Sequence, residues 1–418
     1  MRIAVVGCSH GKLDDIYQAI RRVDTESKKM GELAVELLLC CGDFQATRCN
    51  ADLYTMKTPA KHRLLGDFHN YYAGRKKAPV LTIVIGGNHE SMGHMWDCYH
   101  GGWLAPNIYF LGYAGCVLVD GWLRIAGSSG IFKEEDWIKG SCRLRLPISQ
   151  LIGASTGHFE RIPFTPSALA SAYHTRQYDV ARLMELQSNG PKVDIMMSHD
   201  WPRGIEKHGD TEALLRENPR FKTSIYSNTL GSPVYEVLLN TLKPKRWCAG
   251  HMHVRFTAEV RHDEQQPLLS QTTKFLALDK PGEGRAFLEV IDVPTPEAHQ
   301  QPPEGTRHRT PELFFDPHWL AIVRAFAPFL PLTEHAPPLH PVTQAPALIA
   351  EALVWVQQNV GLKAVRDVQV FTQTATPTRS YGGEEDKGVR PRLYPNPQTQ
   401  AFCDMLGIPN QIDQVVPL

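Results

Sequence analysis

The sequence predicts a layered α/β fold, and three observations support this prediction. Short apolar runs alternate with helical periodicity through the first 293 residues. The run at residues 80–85 is apolar at every position except Thr82, as expected for a strand that is buried on both faces. The 418 residues are 42% hydrophobic and 21% charged, which excludes collagen-like, coiled-coil and wholly disordered classes.

The first predicted elements are a strand at residues 3–6 and an amphipathic helix after it. The helix is indicated by Leu13, Ile16, Tyr17, Ile20 and Val23, which follow the i, i+3, i+4, i+7 spacing. A strand, loop and helix in this order are typical of α/β folds. Further strands are predicted at residues 37–41, 80–85, 109–111, 116–119, 123–127, 193–197 and 247–249.

Proline usage divides the chain near Pro294, because 18 of the 31 prolines lie at or after this position. We therefore predict one domain at residues 1–293, a proline-rich linker at 294–312 and a C-terminal region at 313–418. Apolar stretches around 319–326 and 348–356 predict helices that dock on the main domain. The stretch 372–397, with its GGEEDKG centre, is expected to be disordered or loosely attached.

Charge and cysteine content restrict the function classes. Lys plus Arg and Asp plus Glu number 44 each, so no global positive field attracts nucleic acid, and any such affinity requires a local patch. Nine cysteines without C-x-x-C spacing favour free thiols in a reducing compartment. We recognise no signal peptide before the first strand and no apolar run long enough to span a bilayer, so cytosol or nucleus is expected.

Five predicted strands end in loops that hold polar side chains. Ligands collect at the carboxyl ends of strands in α/β sheets, and glycines in these loops allow sharp turns. Residues two apart on an extended segment project to the same side. The side chains in question are Cys8 and His10, Asp43, Asn88 and His89, His199, and His251 and His253.

Each loop by itself is weak support, because a single loop histidine is more often solvated or hydrogen-bonded than a metal ligand. The ordered set of five is more specific. It offers nitrogen, carboxylate, amide oxygen and thiolate donors, which suffice for two divalent metal ions that share Asp43 as a bridge.

The ordered loops resemble those of the calcineurin-like metallophosphoesterases, whose pattern is D-x-H, G-D, G-N-H-E, a later His and G-H-x-H. This resemblance covers most of the first 253 residues and implies a two-layer β-sandwich flanked by helices, here with a C-terminal extension. The chain resembles the RNA lariat debranching enzymes more closely still. The segments that match them are 103–115, 129–132, 157–160, 198–202, 228–233, 273–280, 315–325 and 396–408.

This resemblance implies hydrolysis of the 2′-5′ phosphodiester at the branch point of excised intron lariats, which linearises them for turnover. The attacking group would be a metal-bound hydroxide. The implied cofactors are two divalent ions, Zn²⁺, Fe²⁺ or Mn²⁺, as a like or a mixed pair. The implied ligands are Cys8, His10, Asp43 and His253 for the first ion and Asp43, Asn88, His199 and His251 for the second.

The implied catalytic residues are His89, which would protonate the departing 2′-oxygen or stabilise its charge, and Glu90, which would orient the His89 ring. Cys8 stands where the wider superfamily has Asp. As a soft thiolate it favours zinc or iron(II) over magnesium, and the alternative is a buried cysteine that binds no metal.

Recognition of RNA is assigned by resemblance to a lariat-recognition loop at 132–163, with an insertion at 141–156. Basic and aromatic side chains there suit phosphates and unstacked bases. The alternative is a solvated loop in which Glu134, Glu135 and Asp136 cancel the cations. The predicted contacts are Lys133, Trp137, His158, Phe159, Arg161, His174 and Arg176.

The expected partner is branched or lariat RNA, with no membrane partner and no protein partner that the sequence specifies. A nuclear location, with the cytoplasm as a second compartment, follows from where lariats are made. Two rival functions stay open. One is another metallophosphoesterase activity, as in a phosphoprotein phosphatase or a nuclease, and the other is a binding scaffold without catalysis.

Overall fold

A computed structural model describes residues 1–59, 61, 63–137, 158, 160–187, 190–262, 271–299, 310–332, 344–378 and 391–414. Two β-sheets pack face to face with helices around them, which confirms the predicted two-layer α/β architecture. The strands are β1 (Arg2–Val6), β2 (Leu37–Cys40), β3 (Leu81–Val84), β4 (Gly102–Ala105), β5 (Ile108–Phe110), β6 (Ala114–Val119), β7 (Leu123–Ser128), β8 (Ile195–Ser198), β9 (Arg246–Ala249), β10 (Phe256–Arg261), β11 (Thr272–Ala277), β12 (Leu288–Asp292) and β13 (Leu313–Phe315).

Helices precede, connect and follow these strands. The α-helices of the described residues are α1 (Leu13–Met30), α2 (Phe68–Tyr72), α3 (Met92–Asp97), α4 (Glu134–Trp137), α5 (Pro166–Ser171), α6 (Gln177–Met184), α7 (Thr211–Glu217), α8 (Lys222–Tyr226), α9 (Pro233–Leu242), α10 (Pro317–Phe326), α11 (Ala345–Asn359) and α12 (Pro397–Leu406). Over the part of the chain that is described, no helix is both long and apolar enough to cross a bilayer.

The first sheet has the strand order β12-β1-β2-β3-β5-β4, and the second has the order β10-β11-β9-β8-β7-β6-β13. Strands β1, β2, β3 and β5 run parallel, as do β7, β8, β9 and β11. Antiparallel strands close the edges of both sheets. The parallel centres bring the carboxyl ends of β1, β2 and β3, and those of β8 and β9, to one edge in each sheet.

The period-two alternation of β1 shows how the layers form. Ile3 and Val5 face the core between the two sheets, whereas Ala4 and Val6 pack in the cluster that contains the apolar face of α1. All four residues are fully buried. A strand buried on both faces is apolar at nearly every position, which explains the run at residues 80–85. Its one polar side chain, Thr82, is buried and shares a hydrogen bond with the Tyr17 hydroxyl at 2.9 Å.

The C-terminal region is part of the sandwich. Strand β13 pairs with β6 in the second sheet, and the predicted helices around 319–326 and 348–356 are α10 and α11. Asp316 caps α10 by accepting the Trp319 N–H at 2.8 Å, and its carboxylate pairs with the buried Arg124 guanidinium at 2.6 Å. The predicted docking on the main domain is therefore present.

The expectation that residues 372–397 attach loosely is wrong for their described parts. The Tyr72 hydroxyl donates to the Ala375 carbonyl oxygen at 2.9 Å, and Arg48 donates to the Thr374 hydroxyl at 3.0 Å. Asn396 is buried and caps α12. Polar composition predicted disorder, but buried hydrogen bonds hold these stretches. Residues 379–390, the predicted insertion at 141–156 and linker residues 300–309 lie outside the described residues.

Candidate metal centre and active site

Five loops meet at one edge of the two sheets. The loops after β1, β2 and β3 come from the first sheet, and those after β8 and β9 come from the second. Each predicted metal ligand lies in one of these loops, directly after its strand. The order of polar loops in the sequence thus becomes a cluster in space, because the strands that precede them run in parallel.

A first group of four side chains can hold one metal ion. The ligand atoms of Cys8, His10, Asp43 and His253 all lie within 4.8 Å of one another. The Nε2 atoms of His10 and His253 are 3.0 Å apart, and His10 Nε2 is 3.5 Å from Asp43 Oδ2. One sulfur, two imidazole nitrogens and one carboxylate are a donor set that fits zinc or iron(II).

Burial keeps the two histidines of this group neutral. It lowers the pKa of His10 to about 4 and, together with Lys280, the pKa of His253 to about 3. Metal ligation by imidazole requires the neutral ring, so both residues are ready to bind a cation at neutral pH.

A second group forms around His199, which is fully buried. Its Nε2 atom lies 3.2 Å from Asn88 Oδ1 and 3.4 Å from Asp43 Oδ1. The ring of His251 lies against it, with ring centroids 5.0 Å apart. One nitrogen, one amide oxygen and one carboxylate oxygen therefore approach a common point beside the first group.

Asp43 connects the two groups through its two carboxylate oxygens. Oδ2 faces His10 and Oδ1 faces His199, and Oδ1 also accepts the His89 backbone N–H at 2.9 Å. Burial by itself raises the pKa of Asp43, but His199, His10 and His89 outweigh it, so the pKa stays below its usual range. Asp43 is thus an anion placed to bridge two cations.

Cys8 is fully buried, and the His251 backbone N–H lies 3.0 Å from its sulfur. Burial, with a further contribution from Asp43, raises the pKa of the thiol well above its usual range. Only a bound cation would reverse this and give the thiolate, since a coordinating thiol is deprotonated by its metal. Ligation by Cys8 stays a prediction.

Backbone conformation in these loops is unusual. His10, Asp43, His251 and His253 have positive φ angles of 46°, 47°, 64° and 53°. Non-glycine residues rarely adopt this region, and such outliers concentrate at functional sites.

Two glycines allow the loops to approach each other. A Cβ atom on Gly42 would lie 2.3 Å from His199 Nδ1, and one on Gly87 would lie 2.3 Å from Asp43 Oδ1. No real Cβ comes this close to another atom, so both positions require glycine.

His89 lies beside the first group without belonging to it. Its ring centroid is 5.6 Å from that of His10, and its Nδ1 atom is 3.1 Å from the Thr58 hydroxyl oxygen. The side chain is half-buried, so substrate can reach it. This placement agrees with a residue that acts on substrate next to the metal ions.

The structure contradicts the predicted role of Glu90. Its carboxylate accepts the backbone N–H groups of Phe44, Gln45 and Gly87 at 2.6, 2.8 and 3.1 Å, and the hydroxyl of Thr58, not Glu90, contacts the ring of His89. Burial and then Asp43 raise the pKa of Glu90 to about 7. Glu90 therefore ties the loop after β2 to the loop after β3, and its adjacency to His89 in sequence was misleading.

Four of the predicted RNA contacts are buried, and three of them bond other side chains, so this prediction is wrong for them. His158 bonds Asp179 at 2.9 Å, His174 bonds Asp136, and Arg176 pairs with Glu160. Trp137 is 5% exposed and belongs to the core. A buried side chain with an internal partner cannot contact RNA unless the surrounding structure opens.

Lys133 and Arg161 keep some freedom to contact substrate. Lys133 is exposed and pairs with Glu135 at 3.2 Å, a surface contact that costs little to break. Arg161 is half-buried, and its guanidinium donates to the Leu332 carbonyl oxygen at 2.6 Å. Phe159 lies outside the described residues.

Sequence reasoning missed two residues near the site. Thr58 contacts His89 although 31 positions separate them, and Lys280 contributes positive charge near Cys8, His10 and His253. Thr58 lies in the connection between β2 and α2 but 15 positions beyond Asp43, and Lys280 follows β11, which was not a predicted site strand. The basic lysine in the TKFLALDK segment at 273–280 was the one available indication.

Comparison with known proteins agrees with this geometry. Residues 1–255 match the calcineurin-like phosphoesterase family model. This match spans more than half of the chain, so the protein is a calcineurin-like phosphoesterase, a hydrolase class that uses a dinuclear divalent metal site.

Residues 270–411 match a second family model, that of the lariat debranching enzyme C-terminal domain. The lariat debranching enzyme of Arabidopsis thaliana is 38% identical over 413 residues, covering 99% of this chain and 88% of that protein. Those of Schizosaccharomyces pombe and Homo sapiens are 35% and 38% identical over 98% of this chain, and the alignments span 96% and 69% of those proteins. The chain belongs to the lariat debranching enzyme family.

Proposed function

We propose that this protein hydrolyses the 2′-5′ phosphodiester bond at the branch point of excised intron lariats and so linearises them for turnover. The observation that carries the proposal is the convergence of Cys8, His10, Asp43 and His253 with Asn88 and His199 at one sheet edge. Family membership over nearly the whole chain supplies the substrate class.

The donor set fits two divalent cations. Cys8, His10, Asp43 and His253 would hold the first, and Asp43, Asn88, His199 and His251 would hold the second. When bound, the two cations lower the pKa of a water molecule, neutralise the non-bridging phosphate oxygens and align in-line attack. The sulfur of Cys8 favours Zn²⁺ or Fe²⁺ at the first position. The second position has two oxygen and two nitrogen donors, which Mn²⁺ also accepts, so a mixed pair is compatible with both positions.

His89 supplies the proton for the leaving group. Its Nδ1 atom is engaged by Thr58, so Nε2 is the nitrogen left to serve the departing 2′-oxygen. Proton transfer at this atom keeps the alkoxide from leaving as a full anion.

The surrounding protein holds the other groups in place. Glu90 fixes the loops after β2 and β3. Among the predicted contacts that the structure describes, the cations Lys133 and Arg161 are not fully buried, and through them we expect the chain to contact RNA phosphates. We further propose a nuclear location, where lariats are made.

The direct test is metal-dependent cleavage of a short branched RNA beside its 3′-5′ linear counterpart. Metal content is measured on the same anaerobically purified protein. Cleavage at the branch alone, with about two metal ions per chain, supports the proposal. Equal cleavage of both linkages would overturn the assigned specificity and identify a general nuclease.

The two rival functions predict different outcomes in the same assay. Bound metal with hydrolysis of a phosphoprotein but of neither RNA would identify a phosphatase. Binding of branched RNA without turnover in the metal-loaded protein would identify a scaffold.

A further inference from the structure

We propose that Thr58 is a positioning residue for His89: its hydroxyl accepts the Nδ1 proton of the imidazole and so reserves Nε2 for proton transfer to substrate. This inference rests on the proposed function, in which His89 is the proton donor. It specifies which ring nitrogen of neutral His89 carries the proton. It starts from one contact, the 3.1 Å separation between Thr58 Oγ1 and His89 Nδ1.

The chemistry of proton donation decides the direction of this hydrogen bond. A ring that gives up its Nε2 proton becomes the neutral form that keeps its proton on Nδ1. An acceptor beside Nδ1 therefore stabilises both the charged ring before transfer and the neutral ring after it. The Thr58 hydroxyl oxygen can accept the Nδ1 proton in both states. The imidazole ring therefore does not have to flip during the catalytic cycle.

Thr58 is itself held in place by neighbouring residues. Its side chain is 5% exposed, and the Arg63 Nε–H donates to its backbone carbonyl oxygen at 2.6 Å. Met56, two residues before Thr58, is fully buried, and Thr55 reaches Ser91, two residues beyond His89, at 3.1 Å between hydroxyl oxygens. Thr58 is therefore held in an ordered position, and a residue must itself be ordered if it is to orient a reactive ring such as that of His89.

A purely structural role for the hydroxyl makes a different prediction. If Thr58 only satisfies a polar atom, Thr58→Val changes stability and leaves the state of the ring unaltered. If Thr58 selects the tautomer, the same change alters His89 even when the fold is intact. Valine suits this purpose because it keeps the shape of threonine and removes the hydroxyl.

The kinetic experiment compares Thr58→Val, Thr58→Ser and the remote surface control Thr25→Val on the branched RNA. The Thr25 side chain bonds only within its own helix, to the Arg21 carbonyl oxygen at 2.7 Å. We expect Thr58→Val to lower kcat by about tenfold or more with KM and metal content unchanged, the size seen when a supporting hydrogen bond to a functional histidine is lost. Thr58→Ser should recover most of the loss, and Thr25→Val should match the parent protein.

A second measurement reads the tautomer without any turnover. Histidine ring ¹⁵N shifts in the zinc-loaded protein distinguish a proton on Nδ1 from one on Nε2, and His89→Ala identifies the resonance. We expect neutral His89 to carry its proton on Nδ1 in the parent protein and in Thr58→Ser. In Thr58→Val we expect the proton to move toward Nε2, the position preferred by free imidazole.

The two measurements distinguish an error in the role of Thr58 from an error in the proposed function. A proton on Nε2 of neutral His89 in the parent protein, or no change of tautomer in Thr58→Val, overturns the role of Thr58 while debranching activity stands. Absence of branched-RNA cleavage by the parent protein overturns the proposed function instead. An equal loss of kcat in Thr58→Val and Thr58→Ser would show that packing, and not the hydroxyl, is what His89 requires.

Discussion

The Nδ1 atom of His199 lies 2.7 Å from the backbone carbonyl oxygen of Cys41. A carbonyl can only accept, so this contact places a ring proton on Nδ1 and turns Nε2 toward Asn88 and Asp43. Burial lowers the pKa of His199, but Asp43 outweighs burial and raises it, so a cation at Nε2 would take the place of a proton there. This single contact joins the loop after β2 to the loop after β8, and so joins the two sheets at the site.

His199→Ala should remove one of the two metal ions and nearly all activity together, because no other described side chain provides its nitrogen at this position. Metal analysis of anaerobically purified protein, run beside a branched-RNA assay, checks this. Normal metal occupancy in the variant would refute the assignment of the second metal position.

His89→Ala should behave in the opposite way. The ring donates no nitrogen to either ligand group, so metal content stays near normal while turnover falls by about 100-fold or more through loss of proton transfer. The same two measurements apply. A parallel loss of metal would show that His89 is a ligand and that the proton comes from another group.

Gly42→Ala should disturb the metal centre because the added Cβ atom displaces the His199 ring. Gly42 has φ +102°, and an added Cβ would meet the His199 ring at 2.3 Å, so the imidazole must shift from the position in which its Nε2 faces Asn88. We expect metal loss similar to that of His199→Ala, together with a lower free energy of unfolding.

Gly74→Ala is the matched control for this change. Its φ is +72° with nothing within 4 Å, so it introduces the backbone strain of about 1–2 kcal/mol without the collision. If the two variants bind metal equally well, close approach at Gly42 does not matter for the site.

The stability of the protein should fall on mild acidification because of His94. This residue is buried, its Nδ1 atom lies 2.8 Å from the Ala46 carbonyl oxygen, and burial lowers its pKa to about 3. In the unfolded chain the pKa of His94 is about 6.5, so the side chain takes up a proton at pH values where the folded His94 stays neutral. Its contribution to stability is thus complete above pH 6.5 and declines as the pH falls toward the folded pKa.

Between pH 6.5 and pH 5 this decline amounts to about 2 kcal/mol in the free energy of unfolding. Urea unfolding of the metal-loaded protein at both pH values, compared with His94→Gln, isolates the contribution of this residue. The variant should lose correspondingly less stability than the parent. An identical pH dependence in the two proteins would show that His94 does not titrate between the folded and unfolded states in this way.

The clustering of the candidate metal ligands could be predicted from the sequence because their spacing is local. Cys8 and His10, and His251 and His253, lie in single loops that directly follow strands, and parallel strands bring such loops to one edge. The pattern of apolar runs therefore implied where these side chains meet. The same reasoning failed for Glu90, because its neighbour in sequence is not its partner in space.

The prediction of RNA contacts failed at the buried residues for a related reason. His158 and Arg176 are residue types suited to RNA, but the sequence does not reveal that Asp179 and Glu160 bind them inside the protein. The pairing of Thr58 with His89, and the anchoring of residues 372–378 on Tyr72, likewise join distant parts of the chain. Composition and spacing carry no information on such pairs.

The sequence by itself determined the layered fold, the order of the site loops and the chemical types of the ligands. These follow from periodicity and from the rule that parallel strands end together. Tertiary structure alone decided which polar groups are buried against each other, which oxygen of Asp43 faces which histidine, and which residue holds His89. The physical reason is that burial and hydrogen-bond partnership depend on packing between segments far apart in the chain, and a local pattern cannot encode the distance between them.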